Sequence, residues 1–232
     1  MKDLFGKALL DFQNGNYSED IMTSTNISDE DALPIPYLFR DYKDMPKLEQ
    51  KALKLSKGSI LDVGCGSGSH SLYLQKKGFK IKAIDISKGA IEVTKHRGVL
   101  KANVLNILDE TETFDTILLL MNGTGIFQEL TQVSKYLSHL KSLLNPNGQI
   151  LIDSSDIKYM YEDEDGGYWM DMNSSYYGEL DYFLSYKGEK EAPMKWLYLD
   201  FETLKLACET VGLKCELVLD GEHFDYLAQL SL

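Results

Sequence analysis

Apolar and polar residues follow two alternating spacings along this chain, and their succession predicts an α/β fold. The run at 114–120 is apolar without interruption, which suits a parallel strand covered on both faces. Asp220 and Gly221 separate the last two strand-like segments and predict a terminal antiparallel hairpin. Segments with the character of strands lie at 60–63, 79–85, 99–104, 114–120, 149–153, 214–219 and 223–230, within a repeating α/β pattern.

An N-terminal segment, residues 1–56, precedes the first strand of this pattern. Amphipathic pieces at its start lead into a polar stretch at 14–31 that resembles a loop, and a helix is predicted over 47–55. Tyr37 and Phe39 allow two interpretations. They line a lid over a bound ligand, or they pack the segment onto the main domain, which we place at 57–232.

An insert at about 156–199 interrupts the main domain after its fifth strand. Residues 179–186 and 194–199 alternate like strands joined by 187–189, and they predict an antiparallel ribbon that extends or covers the sheet. The insert is rich in aromatic residues and carries an acidic run at 162–165. Carboxylates and ring faces together suit a cationic amine, or the rings form a packed face beside a solvated loop. The aromatic candidates for such recognition are Trp169 and Tyr177.

Three glycines at alternate positions, Gly64, Gly66 and Gly68, follow the first strand and open a helical pattern. Glycine permits a positive φ and the close approach of a ligand, and the start of a helix offers unpaired N–H groups to an anion. The arrangement predicts a nucleotide-like cofactor. A dinucleotide fingerprint needs its third glycine where Ser69 stands. A carboxylate two residues before the first glycine, Asp62, suits a cationic amino group better than a pyrophosphate.

This stretch resembles motif I of the class I S-adenosylmethionine-dependent methyltransferases, and the resemblance extends over roughly 59–232. It implies S-adenosylmethionine as cofactor and a Rossmann-like, doubly wound, seven-stranded sheet of order 3-2-1-4-5-7-6. It also implies that Asp85, at the end of the second strand, accepts hydrogen bonds from the ribose hydroxyls. Asn103 stands where the family commonly has an Asp that accepts from the adenine amino group. An amide oxygen accepts the same bond, or Asn103 is only a turn residue.

The end of the fourth strand is where the family holds its acceptor. In enzymes that methylate nucleobase amines or glutamine, two prolines follow the Asn or Asp at this position. No proline follows Asn122 here, so that subclass is disfavoured. Gly123 and Gly125 leave room for a ligand or form a flexible turn. We regard Cys65 as a small filler in the glycine loop. The residues expected to bind the cofactor are Asp62, Gly64, Cys65, Gly66, Gly68, Asp85, Ile86, Asn103, Val104, Met121 and Asn122.

Composition narrows the partners and the compartment. The formal charge of −12 opposes long-range attraction to nucleic acid, and the sequence has no compensating basic cluster. Three cysteines without metal-ligand spacing indicate free thiols and no metal. We expect no membrane span and no secretory leader, and therefore a cytoplasmic protein.

The chemistry expected is in-line transfer of a methyl group from a sulfonium to a nucleophile, for which the protein mainly aligns the reactants and excludes water. Asp153, His223 and Tyr37 are the candidates for a general base, should the acceptor be an amine or a hydroxyl. We expect a small-molecule acceptor. The alternatives are a protein or RNA acceptor, a binding protein without transferase activity, and aminopropyl transfer from a decarboxylated cofactor.

Overall fold

The computed structural model describes residues 2–163, 165, 167 and 176–232, which form two sheets with helices packed against them. Trp169 and Glu164, part of the insert discussed above, lie outside the described residues. The helices are α1 (Leu4–Gln13), α2 (Ile35–Leu38), α3 (Lys47–Leu55), α4 (Ser69–Lys76), α5 (Lys88–His96), α6 (Val133–Ser142) and α7 (Phe201–Thr210). The strands are β1 (Ile21–Thr25), β2 (Ser28–Leu33), β3 (Ser59–Val63), β4 (Lys80–Asp85), β5 (Ala102–Val104), β6 (Phe114–Leu119), β7 (Leu144–Ser155), β8 (Glu179–Tyr186), β9 (Glu189–Lys190), β10 (Met194–Leu197), β11 (Lys214–Asp220) and β12 (Asp225–Ser231).

The larger sheet has seven strands in the order β11-β12-β7-β6-β3-β4-β5. β7, β6, β3, β4 and β5 are parallel, and β12 runs antiparallel to both of its neighbours. This is the order 3-2-1-4-5-7-6 predicted from the sequence, which is confirmed together with the terminal hairpin. β6 and residues 148–154 of β7 are almost wholly buried because helices cover both faces.

Two strands begin later than the pattern predicted, and local backbone bonds explain both shifts. The N–H of Val99 donates to the carbonyl of Thr94 and closes helix α5, so strand pairing starts only at Ala102. At the last strand, the N–H of His223 donates to the side chain of Asp225, and Phe224 has a positive φ of 59°. Residues 223–224 therefore belong to the turn. Ser87 and Asp200 cap α5 and α7, since each side chain accepts a backbone N–H of the first turn.

The smaller sheet joins the N-terminal segment to the insert, in the order β10-β8-β1-β2. The ribbon predicted at 179–186 and 194–199 is confirmed as β8 and β10. Its turn is one residue shorter than predicted, because Tyr186 already pairs with Glu189. The loop predicted at 14–31 is wrong, since this stretch contains β1 and most of β2. β2 is polar and exposed, so its strand conformation comes from backbone pairing with β1 rather than from an apolar pattern.

Helix α1 packs closely on helix α5 through two glycines. A Cβ on Gly89 would lie 2.5 Å from the backbone of Gly6, so only glycine allows this approach. Asp3 caps α1 by accepting from the N–H of Gly6, and its other oxygen accepts from the N–H of Gly89 at 2.9 Å. The N-terminal segment is thereby attached beside the carboxyl ends of β3 and β4. In the described part of the chain, no helix is both long and apolar enough to cross a membrane.

Candidate active site

The glycine loop forms a tight turn from β3 into α4. Gly64, Gly66 and Gly68 have φ angles of 70°, 53° and 81°, which side chains rarely adopt. A Cβ on Gly66 would find its nearest atom 3.9 Å away, on the ring of Phe5, so the space above this residue is open. A Cβ on Gly68 would collide with Thr94 at 2.9 Å. Gly66 thus leaves room for a ligand, whereas Gly68 allows the packing of α5.

Asp85 lies at the end of β4, and its carboxylate is bound to this loop. One oxygen accepts from the N–H of Gly66 at 3.0 Å and the other from the N–H of Ser87 at 2.8 Å. Burial raises the pKa of Asp85 although both N–H groups favour the charged form. Each oxygen keeps a further lone pair, so the carboxylate can still accept hydrogen bonds from a ligand.

Next to Asp85, two apolar side chains point into the open at strand ends. Ile86 is 70% exposed directly after β4, in which residues 81–84 are buried, and Val104 is 47% exposed at the end of β5. Asn103 is exposed beside them at the end of β5. We call the surface formed by Gly66, Asp85, Ile86, Asn103 and Val104 the β4–β5 rim. It combines an acid, an amide and two apolar faces around open backbone.

Two predicted cofactor residues lie beneath the loop rather than on its surface. Asp62 is buried, and it accepts a hydrogen bond from the hydroxyl of Ser71 at 2.6 Å. Cys65 is buried with its sulfur 3.7 Å from the hydroxyl of Thr94, and burial raises the pKa of its thiol well above the ordinary value. Cys65 therefore has the environment of a packing residue and not of a nucleophile.

The end of β6 adopts a constrained conformation that positions Asp153. Met121 and Asn122 both have positive φ angles, 68° and 60°. Their conformation turns the N–H groups of Met121 and Gly123 towards Asp153, and each donates to one carboxylate oxygen at 2.9 Å. Burial raises the pKa of Asp153 to about 6, against the effect of the two N–H groups. Asp153 thus titrates just below neutral pH.

The side chain of Asn122 is used within the protein. Its oxygen accepts from the hydroxyl of Ser154 at 3.0 Å, and its amide donates to the carbonyl of Leu197 at 3.3 Å, which connects β6 to the ribbon. The space expected beside Gly123 and Gly125 is filled. Added Cβ atoms would lie 2.5 Å from Leu119 and 2.2 Å from the ring of Trp196. The expectation that these glycines leave room for a ligand is therefore wrong.

Aromatic residues of the insert that the structure describes pack against the protein. Tyr177 donates its hydroxyl to Asp156 at 2.8 Å, and Tyr176 donates to Asp200 at 2.6 Å. The rings of Tyr182 and Trp196 lie 5.5 Å apart on neighbouring strands of the ribbon. These contacts favour the packing interpretation for the described part of the insert.

A buried charge cluster, which the sequence did not suggest, lies between the N-terminal segment and α4. Glu49 on α3 bonds to the guanidinium of Arg40 through one oxygen and to Nε2 of His70 through the other, the latter at 2.6 Å. Burial opposes the charge of Glu49, but His70 and Arg40 outweigh it and lower its pKa. Burial likewise opposes the charge of His70, and the bond to Glu49 outweighs it and raises the pKa of His70. The sequence feature that could have indicated this cluster is an acidic residue, Glu49, on the apolar face of a predicted helix, beside Leu48 and Ala52.

The start of α4 also holds the N-terminal segment by direct bonds. The hydroxyls of Ser67 and Ser69 donate to the carbonyl of Leu38. Arg97 donates to the carbonyls of Ser67 at 2.8 Å and Phe39 at 3.3 Å. Hydrogen bonds therefore fix the segment that follows β2 to the glycine loop.

A cleft of about 280 Å³ opens between α3 and the ends of β6 and β7. Tyr37, which the sequence proposed for a lid, lines this cleft and is 40% exposed. Phe39 packs instead on Phe12, with ring centroids 4.5 Å apart. His223 lies exposed in the turn before β12 and is not among the residues that line the cleft in the described structure. The residues that line the cleft include Tyr37, Glu49, Met121, Asn122, Asp153 and Asp225.

Residues 37–218 match the model of a protein family described as a methyltransferase domain. That match covers well over half of the chain and includes the glycine loop, the β4–β5 rim and Asp153. The chain therefore belongs to the class I S-adenosylmethionine-dependent methyltransferases, as its motif predicted, and it is an enzyme of that family.

Particular relatives agree with this class. A S-adenosylmethionine-dependent methyltransferase from Bacteroides fragilis, solved in complex with S-adenosyl-L-homocysteine, is 45% identical over 100% of this chain and 95% of its own, with a TM-score of 0.93. The ubiquinone biosynthesis O-methyltransferase of Rickettsia conorii is 30% identical over 116 residues, which cover 47% of this chain and 38% of that protein. The match thus spans less than half the length of that curated relative. CalS10, an amino pentose methyltransferase from Micromonospora echinaspora, is 13% identical with a TM-score of 0.55 over 84% of this chain and 93% of its own, and shares the fold.

Proposed function

We propose that this protein transfers the methyl group of S-adenosylmethionine to a small-molecule acceptor, and that the cofactor binds along the β4–β5 rim. The observation that carries the proposal is the exposure of Ile86 and Val104 beside Asp85. Large aliphatic side chains left open at two adjacent strand ends are explained by a flat apolar group that covers them, and adenine is such a group. The open space above Gly66 fits the same ligand.

The residues of the rim divide the recognition between them. Asp85 accepts from the ribose hydroxyls with the lone pairs that Gly66 and Ser87 leave free. Asn103 accepts from the adenine amino group through its amide oxygen. Asp62 and Cys65 act from beneath the loop by holding its shape. A direct contact of Asp62 with the amino group of the cofactor stays a prediction.

The bound cofactor supplies a methyl group already activated on a sulfonium. The contribution of this chain is to hold the acceptor in the cleft, at the end of β6, and to keep water out. Met121 and Asn122 line the cleft and are proposed to face both ligands. We also propose the N-terminal segment 1–56 as the cover of the site, because Ser67, Ser69 and Arg97 hold it to the glycine loop.

A small acceptor is favoured over a protein or an RNA for two reasons. The cleft holds about 280 Å³, which suits a compact molecule. The formal charge of −12 repels a nucleic acid backbone. We place the protein in the cytoplasm, which the three free cysteines support.

The test of the cofactor site is calorimetric titration of the purified protein with S-adenosylmethionine and S-adenosylhomocysteine, with NAD as a control ligand. Micromolar binding of the first two is expected. Replacing Asp85 by Ala removes charge-assisted hydrogen bonds and should weaken binding by roughly 10- to 100-fold. Asp115→Ala is the matched control, because Asp115 also accepts from a backbone N–H, that of Ser59 at 2.7 Å, near the start of β3. Equal affinity in wild type and Asp85→Ala would contradict the assignment.

A further inference from the structure

We propose that the acceptor is a small amine, which enters the cleft beside Asp153 and Asp225 as its ammonium ion and is methylated on nitrogen. The inference rests on the proposed methyl transfer and goes beyond it by naming the chemical class of the acceptor. Three properties of the cleft support it: its charge, the apolar surfaces that line it, and the geometry of Asp153.

The three carboxylates that line the cleft outnumber the two cations that pack behind them. Glu49, Asp153 and Asp225 contribute carboxylates, and no Lys or Arg is among the described residues that line it. The charge of Glu49 is neutralised by Arg40 and His70, which bond to its two oxygens on the side away from the cleft. Asp153 and Asp225 are left to attract a cation.

The apolar lining also suits a cation. Tyr37 and Met121 line the cleft, and Met121 is 39% exposed. The sulfur of Met121 also accepts a hydrogen bond from the guanidinium of Arg40 at 3.3 Å. Ring faces attract ammonium groups, and the polarisable methionine adapts to their alkyl substituents. The guanidinium of Arg40 lies 3.9 Å from the ring centroid of Tyr37 and already makes this kind of contact within the protein.

Asp153 has the geometry of a proton acceptor. The N–H groups of Met121 and Gly123 occupy one lone pair of each oxygen, which orients the carboxylate and leaves one lone pair of each free. Its pKa of about 6 keeps most of the group ionised at neutral pH while making it a stronger base than an exposed Asp. Asp225 lines the same cleft from the start of β12.

The step balances with these groups alone. The ammonium nitrogen gives one proton to Asp153, and its freed lone pair forms the new N–C bond. The C–S bond of the sulfonium breaks, and its electron pair stays on sulfur as a neutral thioether. The product nitrogen carries the positive charge, and Asp153 returns its proton to water.

An oxygen acceptor fits the cleft poorly. A hydroxyl that loses its proton becomes an anion. Among the described residues that line the cleft beside Asp153 and Asp225, no Lys or Arg is present to stabilise that anion. A carboxylate acceptor enters as an anion and is repelled from the start. An amine is attracted as a cation and reacts as a neutral nucleophile, so it avoids both costs.

The experiment measures transfer from S-adenosylmethionine carrying a deuterated methyl group. The acceptor panel consists of small primary and secondary amines, each matched by the alcohol, the phenol where available, and the carboxylate of the same carbon skeleton. Labelled products are identified by mass spectrometry. Cofactor affinity is measured first by calorimetry, so that a failure of the proposed function is recognised separately as a loss of cofactor binding.

Labelled N-methyl products from amines, with little from their matched partners, are expected. Asp153→Asn should lower kcat by about 100-fold with cofactor affinity retained, and Asp153→Glu should recover part of it. Asp225→Asn should raise the KM for the amine by about fivefold with kcat unchanged. Transfer to alcohols or carboxylates at equal or higher rates would overturn the proposal. Transfer to no member of the panel by cofactor-bound protein would overturn it as well.

Discussion

Replacing Glu49 by Gln tests how strongly the buried charge cluster stabilises this enzyme. The side chains of Glu49 and Arg40 are each only 5% exposed, and one carboxylate serves both Arg40 and His70. Gln keeps the shape of Glu and can still form hydrogen bonds. The substitution therefore removes one charge and leaves the guanidinium of Arg40 buried without its counter-ion.

The size of the effect follows from this geometry. Removing one partner of a buried ion pair costs about 3–5 kcal/mol, and the retained hydrogen bonds place Glu49→Gln near the lower end, at about 3 kcal/mol. For a chain of this length, each kcal/mol corresponds to roughly 2–4 °C in Tm, so Tm should fall by roughly 6–12 °C.

Thermal unfolding followed by circular dichroism or calorimetry measures this shift. The matched control is Glu222→Gln. Glu222 forms an ion pair with Lys47, which lies on helix α3 like Glu49, but the side chains of this pair are mostly exposed. No measurable change in Tm is expected for the control, because solvent and salt screen such a pair. Adding Arg40→Met to Glu49→Gln removes the orphaned charge and should restore part of the lost Tm. A Glu49→Gln variant that melts within about 2 °C of wild type would refute the reasoning.

Two further predictions concern the stability of the fold, one at the charge cluster and one at the contact between α1 and α5. The raised pKa of His70 stabilises the fold fully below about 6.5 and loses effect as the pH rises through the folded-state value. The lowered pKa of Glu49 acts above about 4.5 and is lost as the pH falls. The difference in Tm between wild type and His70→Gln should therefore be largest between these pH values and shrink as the pH rises through the folded-state pKa of His70. A constant difference would argue against the ion pair. Gly89→Ala should push α1 away from α5, because the new Cβ would meet the backbone of Gly6 at 2.5 Å. We expect a loss of about 1–3 kcal/mol in the free energy of unfolding, measured by urea denaturation, against no loss in the exposed Lys88→Ala.

Local signals in the sequence were sufficient for the larger sheet. Each strand was visible as a short apolar segment, and the glycines after the first strand marked both the turn and the edge proposed for the cofactor. The helix caps at Ser87 and Asp200 each join residues three positions apart, so they depend only on a short stretch of sequence. The strand order followed from the family that the glycine loop identified, and the connections leave few other ways to bury five parallel strands.

The smaller sheet could not be read in the same way. β1 pairs with β8, more than 150 residues further along the chain, and β2 contains four polar residues in succession, Ser28 to Asp31. Strand conformation there depends on a partner that no local window contains. The space beside Gly125 was misjudged for a related reason, because the atom that fills it belongs to Trp196 on the distant ribbon.

The sequence by itself determined the fold of the main domain and the edge that we propose for the cofactor, because periodicity, caps and a glycine turn are properties of neighbouring residues. The tertiary structure alone decided which charges meet. Arg40, Glu49 and His70 come from three separate segments, and they share one buried contact only after α3 and α4 have packed together. The raised pKa of Asp153 has the same origin, since the burial that raises it exists only in the folded chain.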